Sequence, residues 1–160
     1  MASAPEKIDP RGPRFAAAIT SVLLLAVVFL GLDSTTEDAA FFLLLILAGL
    51  FFIGASLGPT RHPFGILYRK LVRPRLAAKT DLEDSRPVRF AQAVGLIISL
   101  SGLLMQVLGI ELGLVVAAAI AFIAAFLNAA FAYCLGCQLY LTLKRFGLFR
   151  NRAARSATVP

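Results

Sequence analysis

The sequence predicts an all-α membrane protein with four transmembrane helices, and three observations predict it. Four long runs carry no charge, every basic residue falls in three of the segments that flank those runs, and hydrophobic residues make up 59% of the 160 positions. Mean hydropathy is +0.82, well outside the range of soluble domains. The net charge of +7 argues for no nucleic-acid partner, because the bases border apolar runs instead of forming a soluble basic face.

The spans run from about Phe15 to Leu32, Ala39 to Leu57, Phe90 to Leu108 and Leu112 to Leu143. The first three hold 18, 19 and 19 residues, close to the ~20 that cross a hydrocarbon core as helix. The fourth holds 32, a helix of about 48 Å, so roughly a dozen of its residues belong in the headgroup region or beyond. Arg11 and Arg14 before the first run give it a likeness to a signal peptide. Its apolar length and the lack of a small-x-small cleavage pattern after Leu32 predict a retained helix. The domain expectation is thus a cytoplasmic segment over 1–14, one transmembrane domain over 15–145 and a basic, flexible cytoplasmic tail over 146–160.

Topology follows from charge. Lys7, Arg11 and Arg14 precede the first span; Arg61, Arg69, Lys70, Arg73, Arg75, Lys79, Arg86 and Arg89 lie between the second and third; Lys144, Arg145, Arg150, Arg152 and Arg155 end the chain. The two remaining loops carry only Asp33, Glu37, Asp38 and Glu111. Because Lys and Arg stay on the cytoplasmic side, both termini are expected inside.

The chain also repeats. Asp9-Pro10-Arg11-Gly12-Pro13-Arg14-Phe15-Ala16-Ala17-Ala18 matches Asp84-Ser85-Arg86-Pro87-Val88-Arg89-Phe90-Ala91-Gln92-Ala93 at an offset of 75 residues. Each copy introduces the first helix of a pair, so two pseudo-symmetric hairpins are expected, related by an axis along the membrane normal. The alternative is convergence on a shared interfacial anchor. His62-Pro63-Phe64-Gly65-Ile66-Leu67-Tyr68 and Tyr133-Cys134-Leu135-Gly136-Cys137-Gln138-Leu139-Tyr140 close the two halves, which makes His62 a possible neighbour of the cysteines.

In the basic loop, apolar residues recur at Phe64, Leu67, Tyr68, Leu71 and Val72, the pattern of an amphipathic helix that Pro74 ends. Arg69, Lys70, Arg73 and Arg75 supply its basic side. This helix is expected to lie on the anionic inner leaflet of the bilayer, with docking of an acidic cytoplasmic partner or an anionic substrate as the alternative.

Cys134 and Cys137, the two cysteines of the chain, are spaced to share a helical face within disulfide reach. They are candidates for a redox pair or a persulfide relay at the cytoplasmic boundary; the alternative is that both are small packed residues. Near the end of one long helix a thiolate meets the negative end of the macrodipole, so a cation has to compensate: Lys144, Arg61 or His62. His62 otherwise reads as a loop residue satisfying hydrogen bonds.

Two cysteines and one histidine fall short of a closed zinc site, and no phosphate-binding glycine loop or carboxylate pair stands out. No metal or cofactor is expected. Asn128 is expected to hydrogen-bond across helices to Ser99, Ser101 or Gln92.

The Asp-Pro-Arg opening with Arg14-Phe15, His62-Pro63-Phe64-Gly65 with Leu67-Tyr68, Leu82-Glu83-Asp84-Ser85-Arg86-Pro87 with Arg89-Phe90-Ala91-Gln92, and Asn128 followed by Cys134-Leu135-Gly136-Cys137 with Leu139-Tyr140 resemble a bacterial membrane family labelled domain of unknown function 4395 (DUF4395). The likeness covers about Ile8 to Arg145. It implies an actinobacterial inner-membrane protein whose genes neighbour those of thioredoxin-like proteins and thiosulfate sulfurtransferases. Cys137-Gln138-Leu139-Tyr140 also resembles the Cys-Pro-Leu-Tyr motif of some rhodanese membrane domains, with Gln in place of Pro.

Three functions are therefore open. The first is a thiol-redox or sulfane-sulfur relay through Cys134 and Cys137, working with a thioredoxin-like or sulfurtransferase partner. The second is a transporter for a small sulfur anion such as thiosulfate or sulfite, as a homodimer packed through Ala117-Ala118-Ala119 or Ala129-Ala130. The third is a non-catalytic anchor or assembly subunit.

Overall fold

A computed structural model describes residues 7–76, 82–110 and 112–146. The first six residues, Lys79, Glu111 and the tail from Gly147 onward lie outside the described residues. The chain runs β1 (Lys7–Ile8), α1 (Arg11–Gly31), α2 (Glu37–Leu57), α3 (Pro63–Leu67), β2 (Glu83–Asp84), α4 (Ser85–Val107), α5 (Gly113–Phe131) and α6 (Leu135–Arg145). After α3 the coil widens to a π turn over Tyr68–Val72 and tightens to a 3₁₀ turn over Arg73–Arg75.

Four of these helices, α1, α2, α4 and α5, are long and apolar enough to cross a membrane. Their packing runs between the hairpins more than within them: α1 lies chiefly along α5, and α2 along α4. The interior holds Leu24 and Val27 of α1, Leu44 and Leu47 of α2, and Leu114 and Ala118 of α5, all at 0–1% exposure. The outer faces are apolar as well, with Val22, Phe29, Ile46, Ile97 and Val107 more than 60% exposed. In water that would be an aggregating surface; in a bilayer it is the lipid contact.

Small residues set the helix separations. A Cβ on Gly102 of α4 would stand 2.6 Å from Cβ of Ala117 on α5 and 3.5 Å from Leu44 Cδ2, so these backbones approach as closely as glycine allows. Ala117 and Ala118 are consumed by this internal packing, at 5% and 0% exposure. They are therefore closed to the dimer contact expected of them.

At one end the hairpins turn through short polar or glycine-containing links. Asp33 Oδ1 accepts hydrogen bonds from the backbone N–H and the hydroxyl of Thr35, both at 2.8 Å, which hold the carboxyl below its ordinary pKa. Between α4 and α5, Gly109 and Leu112 take positive φ. At the other end β1 and β2 pair antiparallel, Lys7 opposite Asp84 and Ile8 opposite Glu83. Each helix that follows this ribbon starts on the same device: Asp9 Oδ1 accepts from Arg11 N, and Asp84 Oδ1 from Arg86 N, both at 2.9 Å.

The fourth apolar run differs from its expectation as one span over 112–143. It is two helices, because Ala132 adopts a left-handed conformation, φ 57°, and turns its N–H onto the Leu127 carbonyl. Tyr133 N–H reaches the same carbonyl at 3.2 Å, a helix stop that satisfies the terminal acceptor twice. Asn128 consequently sits in the last turn of α5. Its expected bonds are not made: Ser99 Oγ and Gln92 Oε1 are buried without a partner, and Ser101 Oγ donates to Ile98 O in its own helix.

Substituting Gly102→Leu should lower the thermal midpoint of the detergent-solubilised protein, by an overpacking cost of about 1–3 kcal/mol. Gly49→Ala should be neutral or stabilising by roughly 0.5–1 kcal/mol, because nothing lies within 4 Å of a Cβ there. Equal effects of the two substitutions in thermal unfolding would contradict the close contact at Gly102.

Candidate site at a cysteine-capped helix

The break at Ala132 places the cysteines at the start of a helix. Cys134 is the N-cap of α6, in extended conformation (φ −86°, ψ 101°), and its Sγ accepts the Cys137 N–H at 3.2 Å. Its carbonyl accepts the next N–H, from Gln138, at 3.0 Å. The two residues are joined as a disulfide, with Cα atoms 5.2 Å apart. The expectation of a thiolate facing the negative end of a helix dipole is thus reversed. An 11-residue helix begins just after Cys134, at Leu135, and aims its positive end at the sulfur, so no cation is needed. Lys144 falls in the last turn of α6, beside the helix's negative end.

Gly136, between the cysteines, seats α6 on α4. A Cβ at this position would stand 2.6 Å from Cα of Ala91, closer than nonbonded carbons approach. One turn later Tyr140 meets Phe90, ring centroids 5.7 Å apart. The helix start that carries the sulfurs is thereby held against the start of a membrane-spanning helix, and both cysteines keep partial exposure.

His62 occupies a parallel position in the other half. It is the N-cap of α3, and its Nδ1 accepts the Phe64 N–H at 3.2 Å. Only 5% exposed, it lines a cavity shared with β1, α1 and Tyr68, to which neither cysteine contributes. The structure therefore does not bring His62 to the sulfurs: α3 rests on α1, and α6 on α4. Burial lowers the His62 pKa, offset in part by a hydrogen bond to the Leu50 backbone. A neutral ring is what the cap requires, since Nδ1 can accept only while unprotonated.

Arg69, Lys70, Arg73 and Arg75 are all exposed. The apolar stripe expected along this loop divides in two. Tyr68 turns inward, 3% exposed, while Leu67 and Leu71 stay 39% and 58% exposed. The Tyr68 hydroxyl donates to Asp9 Oδ2 at 3.2 Å, and its ring lies 5.9 Å from that of Phe15. Burial, then the Asp9 charge, raises the Tyr68 pKa, with Arg11 and Arg73 opposing.

Sequence reasoning missed two arginines. Arg14 Nη2 donates to Ala129 O at 3.3 Å, while Arg89 donates through Nε to Ala55 O at 3.1 Å and through Nη2 to Ser56 O at 2.6 Å. Each guanidinium thus satisfies carbonyls at the end of the neighbouring hairpin's second helix, where unsatisfied acceptors near lipid are costly. The available signal was their shared place in the Asp-x-Arg-x-x-Arg-Phe pattern.

A family model described as "Domain of unknown function (DUF4395)" matches residues 8–145, from the β1 ribbon to the last residue of α6. No curated protein and no solved structure matches the chain.

Below about pH 6.5 the unfolded chain binds a proton at His62 that the folded chain resists. Stability should therefore be lost as pH falls through that value toward the depressed folded pKa. His62→Asn keeps a capping acceptor and should flatten this loss in thermal melts between pH 7.5 and 5. Parallel profiles for the two proteins would contradict the neutral, cap-forming role.

Proposed function

The chain belongs to the DUF4395 family, and from that premise we propose that it is a membrane-held thiol relay. Cys134 and Cys137 exchange electrons with a soluble cytoplasmic dithiol protein of the thioredoxin-like or sulfurtransferase class. The observation that carries this reading is the capping of α6 by Cys134, whose Sγ lies 3.2 Å from the Cys137 N–H. A packed structural thiol has no need of a helix N-terminus, whereas a leaving or attacking thiolate is stabilised by one.

The chemistry balances between the two proteins. A partner thiolate attacks Sγ of Cys134, the bond to Cys137 breaks, and Cys137 leaves as a thiolate that takes a proton. The partner's second thiolate then attacks its own half of the mixed disulfide and expels Cys134, whose negative charge falls on the sulfur facing the helix start. Two electrons have passed to the pair and the partner is oxidised; the reverse sequence reduces the partner. Sulfane sulfur uses the same atoms. Reduced Cys134 takes the outer sulfur of a partner persulfide, and attack by Cys137 releases hydrosulfide and restores the disulfide.

The cytoplasmic location rests on the positive-inside rule. Lys7, Arg14, Arg89 and Arg145 share the end of the bundle that holds the ribbon and α6. With both termini inside, the relay faces a reducing compartment, where a disulfide persists as a catalytic intermediate and not as a structural brace.

Pseudo-two-fold symmetry between the hairpins is part of this reading. It is supported by the pairing of Ile8 with Glu83, which are equivalents at the 75-residue offset. The matching hydrogen bonds from Arg11 N–H to Asp9 and from Arg86 N–H to Asp84, the carbonyl clamps of Arg14 and Arg89, and the Phe15–Tyr68 and Phe90–Tyr140 ring pairs support it too. Under this symmetry His62 and Cys134 are equivalent helix caps, and only the second half carries sulfur.

Cys137→Ser in the full-length protein should accumulate a reducible mixed disulfide between Cys134 and a soluble cytoplasmic protein, separable on non-reducing gels. Cys134→Ser should accumulate none. Equal trapping by the two variants, or trapping by neither, would sink the proposal.

A further inference from the structure

His62 is the single histidine of the chain, it is buried, and both sides of its ring are in use. Nδ1 accepts the Phe64 N–H at 3.2 Å, and the ring also hydrogen-bonds the Leu50 backbone. With Nδ1 accepting, Nε2 carries the proton that a Leu50 carbonyl needs. One neutral imidazole thus pins the start of α3 to α2. The fit has no slack, because a Cβ on Gly65 would overlap the Pro59 carbonyl oxygen.

The segment that follows is weakly held elsewhere. Within Pro63–Arg75 the chain passes from five α-helical residues to a π turn and then a 3₁₀ turn, so no single ladder of hydrogen bonds runs through it. Tyr68 is its one buried residue, set against Gly12 and Phe15 with its hydroxyl on Asp9. The segment is tied to the bundle chiefly through His62 and Tyr68.

A proton on His62 finds no welcome there. It turns Nδ1 into a donor that faces the Phe64 N–H, so the cap is lost. Of the groups around the shared cavity, Lys7 on β1 and Arg69 and Arg73 on the loop are cations, and Tyr68 is a neutral phenol. Asp9 is the one carboxylate lining it, already engaged by the Arg11 N–H and the Tyr68 hydroxyl. From α1 and α4 come only Gly12, Pro13, Ala16, Val88 and Gln92. The end of α2 adds no charge, and Arg61 after it is a further cation. Burial opposes the imidazolium as well and lowers the His62 pKa.

We propose that His62 is an acid-sensitive latch: neutral, it holds Pro63–Arg75 against the bundle, and one proton taken from solvent onto Nδ1 frees that segment while the four membrane helices stay folded. The freed segment bares Tyr68 and the face of α1 beneath it. This opening is local, distinct from the loss of global stability with acid, and independent of the sulfur chemistry. Linkage sets its size. In the open segment His62 titrates near its ordinary value of about 6.5, whereas the closed segment resists the proton. The opening constant therefore rises by up to about tenfold from pH 7.5 to pH 5.5.

The test is hydrogen exchange on the full-length protein in nanodiscs at those two pH values, read by peptide mass spectrometry and corrected for the intrinsic pH dependence of exchange. Amides of Phe64–Val72 should lose protection about threefold to tenfold at the lower pH. Those of α6 should change less than about twofold, because its cap is a disulfide sulfur that does not titrate. His62→Asn keeps a capping acceptor without a titrating group and should abolish the pH dependence in Phe64–Val72, with His62→Gln as the replacement should the asparagine variant fail to fold. Unchanged protection of Phe64–Val72, an equal loss in α6, or a loss that persists in the variant overturns the proposal.

Discussion

A bilayer accommodates about twenty helical residues, and the last apolar run of this chain has 32. The excess must leave the hydrocarbon, and a chain that leaves it as continuous helix would present only its negative end at the boundary. Here the helix stops at Phe131, turns through left-handed Ala132 and starts again at Leu135. The restart creates a second N-terminus at the membrane surface, and Cys134 occupies its cap. The placement of the sulfurs, the polarity of the field they meet and the partial exposure they keep all depend on that interruption. Gly136 makes the restart tight, since any side chain there would drive α6 off Ala91.

The same local plan serves two ends. After each hairpin the chain turns, caps a short interfacial helix with a side-chain acceptor, and packs an aromatic residue of that helix onto the Phe of an Arg-Phe pair. In the first half the cap is an imidazole beside a cavity; in the second it is a sulfur beside a close helix contact. Under the proposed duplication, chemistry entered by changing the capping atom rather than the scaffold. A capping position suits such a change because it already directs a backbone N–H at whichever acceptor stands there. The arginine clamps suit it as well. Arg14 and Arg89 tie α1 to the end of α5 and α4 to the end of α2, so the surface that carries each cap is braced by the opposite hairpin.

Much of this was legible in the residues. Four spans followed from apolar run length, and the positions of Asp9, Arg14, Asp84 and Arg89 in a repeated pattern marked the two helix starts that use them alike. The interruption at Ala132 was not legible, because Ala-Tyr between apolar neighbours carries no glycine or proline, and left-handed alanine is rare enough that no local signal announces it. From that one gap came the reversed helix dipole at Cys134. The separation of His62 from the cysteines was hidden for a different reason: equivalence under a repeat puts residues at matching places, and matching places on opposite hairpins are not adjacent ones. Gln92 was read as a hydrogen-bond partner for a neighbouring helix, and its cavity emerged only from the packing of β1, α1 and the basic loop.

The central claim, that Cys134 is an activated thiol because it caps a helix, is tested most directly by alkylation rates. The reduced protein is reacted with iodoacetamide from pH 5 to 9, and each cysteine is followed separately by peptide mass spectrometry. Cys134 should react at least several-fold faster than Cys137 at pH 7 and keep its rate into the acidic range, as expected of a thiolate held by a helix N-terminus. Equal rates, both rising only near the ordinary thiol pKa of about 8.5, would mean that the pair is packed rather than poised.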